Sequence, residues 1–428
     1  MKSKNEKIIT IKIINEMETK DIIQHSPSSS KTATGNRSRT KSEASGAVKQ
    51  QYGQFYTTNY EYIFQNMDLS IFFTHSSPLH IVEPFVGKKH LIEYLLSLNR
   101  SSSLPQQDIV IETYDIDPKN CIPSNTLKCH PIERDTIMNP PKYKDKFVLT
   151  NPPYLARNKS NDKKCFDKYE QNDIYKCFIE TLIQDPPIGG LIIIPLNFWC
   201  SIQKSDINLR KRFVEKFETI RVNVFEESVF QDTSYTVCSI LFISTQAPTP
   251  DGHFVHQQTD SRKCEVSRQG LPFYIYPSKR ELFLEFKKEN NWSIGGEIYQ
   301  LHPEKLDSNT RKYKIYRLLQ NGTPNTKILL KALDDDSKKK ICLRISEEPY
   351  YGKNTSRTYA SIIIEPPISL ERQIKLVDDF NHFIESMREK YHSLFLTNYR
   401  ESKDISRKRI SFELVYDIIH YLLVNDYK

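Results

Sequence analysis

The chain has 428 residues, 38% of them hydrophobic and 27% charged, with 22 Phe, 24 Tyr and a formal net charge of +8. Such a length suits two or three domains, and the apolar content suffices for one large core and a smaller one, which excludes a wholly disordered chain. No apolar run approaches the roughly 20 residues of a bilayer span, and the opening MKSKNEKIIT lacks the apolar stretch of a signal peptide. The eight cysteines show neither CxxC nor zinc-finger spacing. The expectation is a soluble intracellular protein of the cytoplasm, with free thiols, no bound metal and no disulfide framework.

Residues 1–48 open the chain with IITIKIINEM, a short strand or helix that periodicity does not resolve, and continue into a Ser/Thr/Lys-rich stretch from about residue 25. That stretch cannot bury enough surface to offset its conformational entropy, so a disordered basic tail is expected. From 49 to 248, apolar runs at His80–Phe85, Ile109–Tyr114, Phe147–Thr150, Leu191–Pro195, Ile220–Phe225 and Val237–Ser244 alternate with helical patterns at His90–Leu98, Asp173–Ile183 and Leu209–Phe217. Strands alternating with helices predict an α/β domain: a largely parallel sheet with helices on both faces. The last two strands follow one another without a helix, which predicts an antiparallel edge. After the linker QAPTPDGH, residues 249–428 read as a second, mixed, largely helical domain. It closes with the stripe Leu370, Ile374, Val377, Phe380, Ile384 and Met387 and with a helix over Ile410–Leu423.

Charge is distributed unevenly. Residues 1–50 hold 10 Lys/Arg against 5 Asp/Glu, residues 51–250 hold 21 against 23, and residues 251–428 hold 30 against 25. The two ends are basic and the middle is slightly acidic, a balance that favours nucleic acid as partner without requiring it.

In open α/β sheets, ligands bind beyond the carboxyl ends of the strands, near the point where strand order reverses. Three groups follow the first three apolar runs: Glu83-Pro84-Phe85-Val86-Gly87, then Asp115-Ile116-Asp117, then Asn151-Pro152-Pro153-Tyr154. Acids at the ends of adjacent strands suit ribose hydroxyls and a cationic group, although a lone Asp is more often a helix cap. In the third group, the Asn151 side-chain carbonyl and the Pro152 backbone carbonyl can both accept from an exocyclic amino group. The two prolines stiffen the turn, and Tyr154 offers a ring face to a base taken out of its stack. A second copy, Asn139-Pro140-Pro141, is followed by Lys142 and preceded by no clear strand, so it is expected to be a loop turn.

These residues resemble the γ-type amino methyltransferases, the adenine-N6 DNA methyltransferases of type II restriction–modification systems. The resemblance covers about residues 51–245 motif by motif, and the C-terminal region in overall plan. Its implications are a Rossmann-like S-adenosylmethionine-dependent methyltransferase sheet, with residues 249–428 as DNA target-recognition domain. Gly53-Gln54-Phe55-Tyr56-Thr57 is similar to the motif that touches the cofactor's methionine moiety, and Glu83–Gly87 resembles the cofactor loop. By the same resemblance Asp115, with Asp117 beside it, takes the ribose, and Asp135 takes the cofactor's adenine amino group. Asn151–Tyr154 matches the catalytic (D/N)PP(Y/F/W) motif, and Phe230 falls where an aromatic stacks on the other face of the flipped adenine. The run Leu149–Ser160 is faintly similar to enzymes of CATG sites. One position departs from the pattern: Lys89 stands where the family has a second Gly, and is expected to point away from a slightly wider loop.

The resemblance therefore implies methyl transfer from S-adenosylmethionine to adenine N6 in double-stranded DNA, by a monomer that a restriction endonuclease of the same site can accompany. The alternatives are an Asn-Pro-Pro-Tyr methyltransferase of rRNA or of a protein glutamine, and a non-catalytic DNA-binding protein on the same scaffold. A final expectation concerns the basic run ending in Arg407-Lys408-Arg409. Read as a loop at the start of the last helix, it suits DNA phosphates.

Overall fold

The computed structural model describes residues 59–73, 78–100, 108–127, 129–201, 203–225, 229, 236–246, 271–276, 280–284, 311–334, 340–353, 356–392, 394–396, 398–402 and 405–425. The chain divides into two units, residues 1–45 and 46–428, and every described residue belongs to the second. The tail 1–48 lies outside the described residues.

A nine-stranded sheet organises this unit. Its strands are β1 (Leu79–Glu83), β2 (Ile109–Asp115), β3 (Ile132–Glu133), β4 (Phe147–Thr150), β5 (Gly189–Pro195), β6 (Phe217–Phe225), β7 (Val237–Ser244), β8 (Leu271–Tyr276) and β9 (Arg280–Leu284). They lie in the order β3-β2-β1-β4-β5-β7-β6-β8-β9. The first five in that order are parallel, and β7 runs antiparallel to both neighbours. Strand order reverses between β1 and β4, which makes the crevice beyond their carboxyl ends the expected ligand position. This is the α/β, Rossmann-like sheet expected from the sequence.

β4 and β5 are buried at every residue, as continuous apolar runs covered on both faces must be. Gly190 is required where β5 threads between its neighbours, since a Cβ there would lie 2.7 Å from the Phe242 ring and 2.8 Å from the Val148 carbonyl. Helices α1 (His90–Arg100), α2 (Ile174–Gln184) and α3 (Lys204–Lys216) cover the sheet. α3 begins five residues before the sequence suggests, because its first turn is polar and yet packed. Buried Asp206 pairs with buried Lys176 of α2 at 2.5 Å. One turn on, fully buried Arg210 donates to the carbonyls of Phe198 (2.6 Å) and Ser201 (2.7 Å). These bonds fix the segment that leaves β5.

The antiparallel pair β6–β7 forms, but it is not the edge. β8 pairs parallel with β6, and β9 pairs with β8, so the sheet runs past residue 248. Beyond it, β10 (Lys314–Arg317), β11 (Ile328–Lys331), β13 (Cys342–Ile345) and β14 (Tyr359–Glu365) form an antiparallel sheet in the order β10-β14-β11-β13. A three-stranded antiparallel sheet joins β12 (Leu333–Asp334), β16 (Ile405–Arg409) and β15 (Asn398–Ser402) in that order. Helices α4 (Leu370–Tyr391) and α5 (Phe412–Asn425) complete the region, whose described residues are mixed α and β rather than largely helical as expected.

Two C-terminal expectations are corrected. The α4 stripe is rotated: Leu370 and Ile374 are exposed, while Leu376 and Phe383 are buried. The cause is Gln373, a polar residue buried on that face because it accepts from the Lys327 amide at 2.8 Å and donates to the Ile368 carbonyl at 3.1 Å. The run Arg407-Lys408-Arg409 is a strand rather than a loop at the helix start. It pairs with both β15 and β12, and its cross-strand partners include Arg400, Tyr399 and Asn398.

Candidate functional site

The carboxyl edge of β3, β2, β1 and β4 gathers most of the residues singled out from the sequence. After β1, the chain turns through Pro84, Phe85 and Gly87, and Gly87 adopts φ 49°. Asp115, at the end of β2, holds this turn from the side. Its Oδ2 accepts from the Gly87 amide at 2.9 Å and its Oδ1 from the Asp117 amide at 2.8 Å. Burial pushes the Asp115 carboxyl up, while those two amides oppose the shift. Asp117 caps the short turn Pro118–Asn120 by accepting from the Lys119 amide at 3.0 Å. Asp135 follows β3, and its Oδ1 accepts from the amides of Ile137 (3.1 Å) and Met138 (2.9 Å). The neighbouring Thr136 hydroxyl donates to the Pro84 carbonyl at 3.0 Å, joining this turn to the β1 loop. Phe85 packs edge-on against Phe178 of α2, with centroids 5.2 Å apart.

Lys89 departs from its expected placement. It has φ 67°, in the left-handed region that favours glycine, and its side chain is half-buried rather than turned away. Its Nζ donates to the Asn120 carbonyl at 3.1 Å, bridging the loop after β1 to the turn after β2. A Cβ in this backbone region costs about 1 kcal/mol. Lys89→Gly should therefore be more stable than Lys89→Ala by about 1 kcal/mol in denaturant melts, since both lose the ammonium and only one loses the Cβ. Equal stabilities would contradict the left-handed backbone.

Glu83 ends β1 at the crevice itself. It is 1% exposed. Its Oε1 accepts from the Thr150 hydroxyl at 2.5 Å and from the Phe85 amide at 3.2 Å, and its buried Oε2 has no hydrogen-bond partner among the described residues. Burial raises its pKa to about 8, against the lowering effect of Thr150 and Phe85. Thr150 was missed in the sequence, although a polar residue closing an apolar run directly before Asn151 was the available signal.

Asn151 and Pro152 follow β4 directly and are both buried, with Pro153 half-buried. Tyr154 is turned inward and only 2% exposed. Its hydroxyl donates to Asn151 Oδ1 and to the Ile193 carbonyl of β5, the latter at 2.9 Å. Burial holds its phenol well above the usual tyrosine range, so the group stays neutral. In this arrangement no face of the ring is open to a base, unlike the expectation from sequence. The second copy, Asn139-Pro140-Pro141, lies in a loop whose carbonyls of Asn139 and Pro140 accept from Arg134 at 2.7 and 2.9 Å. Gly53, Phe55, Tyr56, Thr57 and Phe230 lie outside the described residues. Lys408 and Arg409 are half-buried on β16.

No family model and no curated protein matches the chain. Solved structures do match. The type I restriction–modification methyltransferase subunit from Streptococcus thermophilus is 13% identical, with TM-score 0.34 over 61% of this chain and 56% of that one. The DrdV–DNA complex is 13% identical, with TM-score 0.38 over 67% and 36%. The M protein of the type I restriction enzyme EcoKI is 13% identical, with TM-score 0.32 over 84% and 71%. The chain spans about three fifths of the length of a class I S-adenosylmethionine-dependent methyltransferase from Listeria monocytogenes and of a type I restriction enzyme modification subunit from Vibrio vulnificus. The fold rests on strand order and register, not on these likenesses.

The acceptor set fits a ligand that carries a cationic group together with hydroxyl or amino donors. A buried carboxyl oxygen without a partner favours a cation that can draw off its proton. Carboxylates at the ends of β2 and β3 retain acceptor capacity for hydroxyl and amino groups. No group of three or more His, Cys, Asp or Glu among the described residues is arranged to hold a metal ion. No described helix is long and apolar enough to cross a membrane.

Proposed function

We propose that the chain is an S-adenosylmethionine-dependent methyltransferase acting on an exocyclic amino group, that of adenine N6 in double-stranded DNA. One observation carries this reading: Asn151-Pro152-Pro153-Tyr154 leaves the carboxyl end of β4 directly beside Glu83 of β1, at the reversal of strand order. An amino group accepted by Asn151 Oδ1 and the Pro152 carbonyl would there face the ligand that Glu83 and Asp115 hold. The bound cofactor supplies an electrophilic methyl group. The chain's residues supply position and charge. Glu83 would give up its proton to meet a positive charge, and Asp115, which holds the Gly87 amide, would offer its remaining acceptor capacity to the ribose. Asn151 Oδ1 and the Pro152 carbonyl would orient the amino lone pair by accepting a hydrogen bond from each of its N–H groups. As the nitrogen–methyl bond forms and the sulfonium–methyl bond breaks, the amine becomes cationic and then loses its extra proton to solvent, so that no strong base is required. Tyr154 has to release Asn151 Oδ1 and turn outward to present its ring to the base, with Phe230 as the second stacking face.

Residues 249–428, with 30 Lys/Arg against 25 Asp/Glu from 251 onward, suit a target-recognition region for DNA, and a partner endonuclease of the same site fits the same reading. Purified protein with methyl-labelled S-adenosylmethionine should label duplex DNA at adenine, and neither ribosomal RNA nor protein. Label on RNA or protein would redirect the substrate, and cofactor binding without label on any of them would favour a non-catalytic scaffold.

A further inference from the structure

A cavity is lined in part by residues that follow β5 and in part by the C-terminal region. It has a volume of about 730 Å3. Its wall carries three guanidinium groups, Arg317 of β10, Arg357 before β14 and Arg409 of β16, against the carboxylate of Glu413. The aromatic side chains of Tyr316, Phe412 and Tyr416 line the same space. Burial raises the Tyr416 pKa to about 12, so its phenol adds no negative charge. Arg317 is held in place, donating to the Ser356 carbonyl at 3.0 Å and lying 5.7 Å over the Phe412 ring.

Guanidinium groups beside aromatic faces define a ligand class. Planar forked donors match phosphate oxygens, and ring faces match a base or sugar edge. The cavity is also tied to the Asn-Pro-Pro-Tyr segment. Gln203 lines it and accepts from Asn172 Nδ2 at 3.2 Å, while the Asn172 carbonyl accepts from the Arg157 amide at 2.9 Å, three residues beyond Tyr154. We propose that this cavity holds one nucleotide of the substrate strand, its phosphate on Arg317, Arg357 and Arg409 and its base or sugar against Tyr316 and Phe412. The placement on a strand rests on the methyltransferase reading; the nucleotide chemistry of the cavity does not. Arg409 thus meets phosphate from a strand, not from a helix-start loop.

The test uses full-length protein with Arg357→Gln, an exposed position, and separately Arg409→Gln. Anisotropy of a labelled duplex should show affinity falling on the order of tenfold at low salt in each variant. The slope of log affinity against log salt should shrink by about one per arginine removed. S-adenosylmethionine affinity by calorimetry should stay unchanged. Where Arg409→Gln lowers the melting temperature, Arg357→Gln alone decides. If duplex binding is unaltered but wild type binds adenosine monophosphate and both variants lose it, the cavity takes a free nucleotide and its place on the strand is overturned. If both probes bind variants and wild type alike, the cavity binds no nucleotide and the proposal fails. A wild-type protein that binds no S-adenosylmethionine, yet loses duplex affinity in these variants, would sink the methyltransferase reading and leave the cavity assignment standing.

Discussion

Asn151→Ala is expected to lower methyl transfer by on the order of 10²–10³, the loss seen when one preorganised hydrogen-bonding group at a reacting centre is removed. Cofactor affinity should survive, because Glu83 and Asp115 sit on other strands. Tyr154→Phe is the informative companion. Its hydroxyl donates to Asn151 Oδ1 and to the Ile193 carbonyl, so removing it frees the oxygen that the target amino group needs while the ring remains. Turnover should stay within a few-fold of wild type. Stability should fall by roughly 1 kcal/mol, since the buried Ile193 carbonyl loses a donor. Tyr154→Ala should lose turnover as well, because the stacking face goes with the hydroxyl. Single-turnover assays at saturating cofactor separate these outcomes. A Tyr154→Phe enzyme as inactive as Asn151→Ala would mean that the hydroxyl holds Asn151 in its working position rather than blocking it.

The sheet was legible because its strands are of the kind that announce themselves. β4 and β7 coincide with their apolar runs, and the residues that matter follow those runs directly. Side-chain directions were not legible. The inward turn of Tyr154 depends on a carbonyl of β5, thirty-nine residues further along the chain. Asp115 reads equally well as a ribose acid or as a cap. The structure gives it two amide partners, which a cap requires and a ribose acid tolerates, since each carboxylate oxygen can accept more than one hydrogen. Lys89 in a left-handed backbone is invisible to pattern reading, because tertiary contacts and not local preference hold it there.

The C-terminal region was less legible for a different reason. Its strands are short, from two residues in β12 to seven in β14, and several are charged. A run such as Ile405–Arg409 has no apolar alternation to report a strand. It becomes one only because β15 and β12 offer backbone partners on its two sides. Buried Gln373 misleads in the opposite sense. A polar residue interrupts the apolar stripe of α4, and only its bonds to the Lys327 amide and the Ile368 carbonyl, from outside the helix, explain its burial.

The second large effect is a pH dependence centred on Glu83. Its folded pKa, about 8, stands above the ordinary carboxyl value of 4.5, so between those values the folded protein keeps a proton that the unfolded chain has released. The sign follows: this contribution to stability is fully present below about pH 4.5 and is lost as pH rises through about 8. A shift of that size corresponds to a loss on the order of 4–5 kcal/mol. Asp115, also raised by burial, pushes in the same direction. Without cofactor, wild type should therefore melt at a markedly lower temperature at pH 8.5 than at pH 5.5. Glu83→Gln, which cannot ionise, should lose most of that difference and be the more stable protein at pH 8.5. The same linkage reaches the site. A cationic ligand beside the unpartnered Oε2 favours the ionised carboxyl, so binding at pH 7 should release close to one proton. Calorimetry of S-adenosylmethionine in two buffers of different ionisation enthalpy measures that number, and Glu83→Gln should reduce it toward zero. Parallel melting curves for the two proteins across pH 5.5–8.5 would show that Glu83 is already ionised in the empty site. Proton release unchanged by the substitution would move the cation to another group.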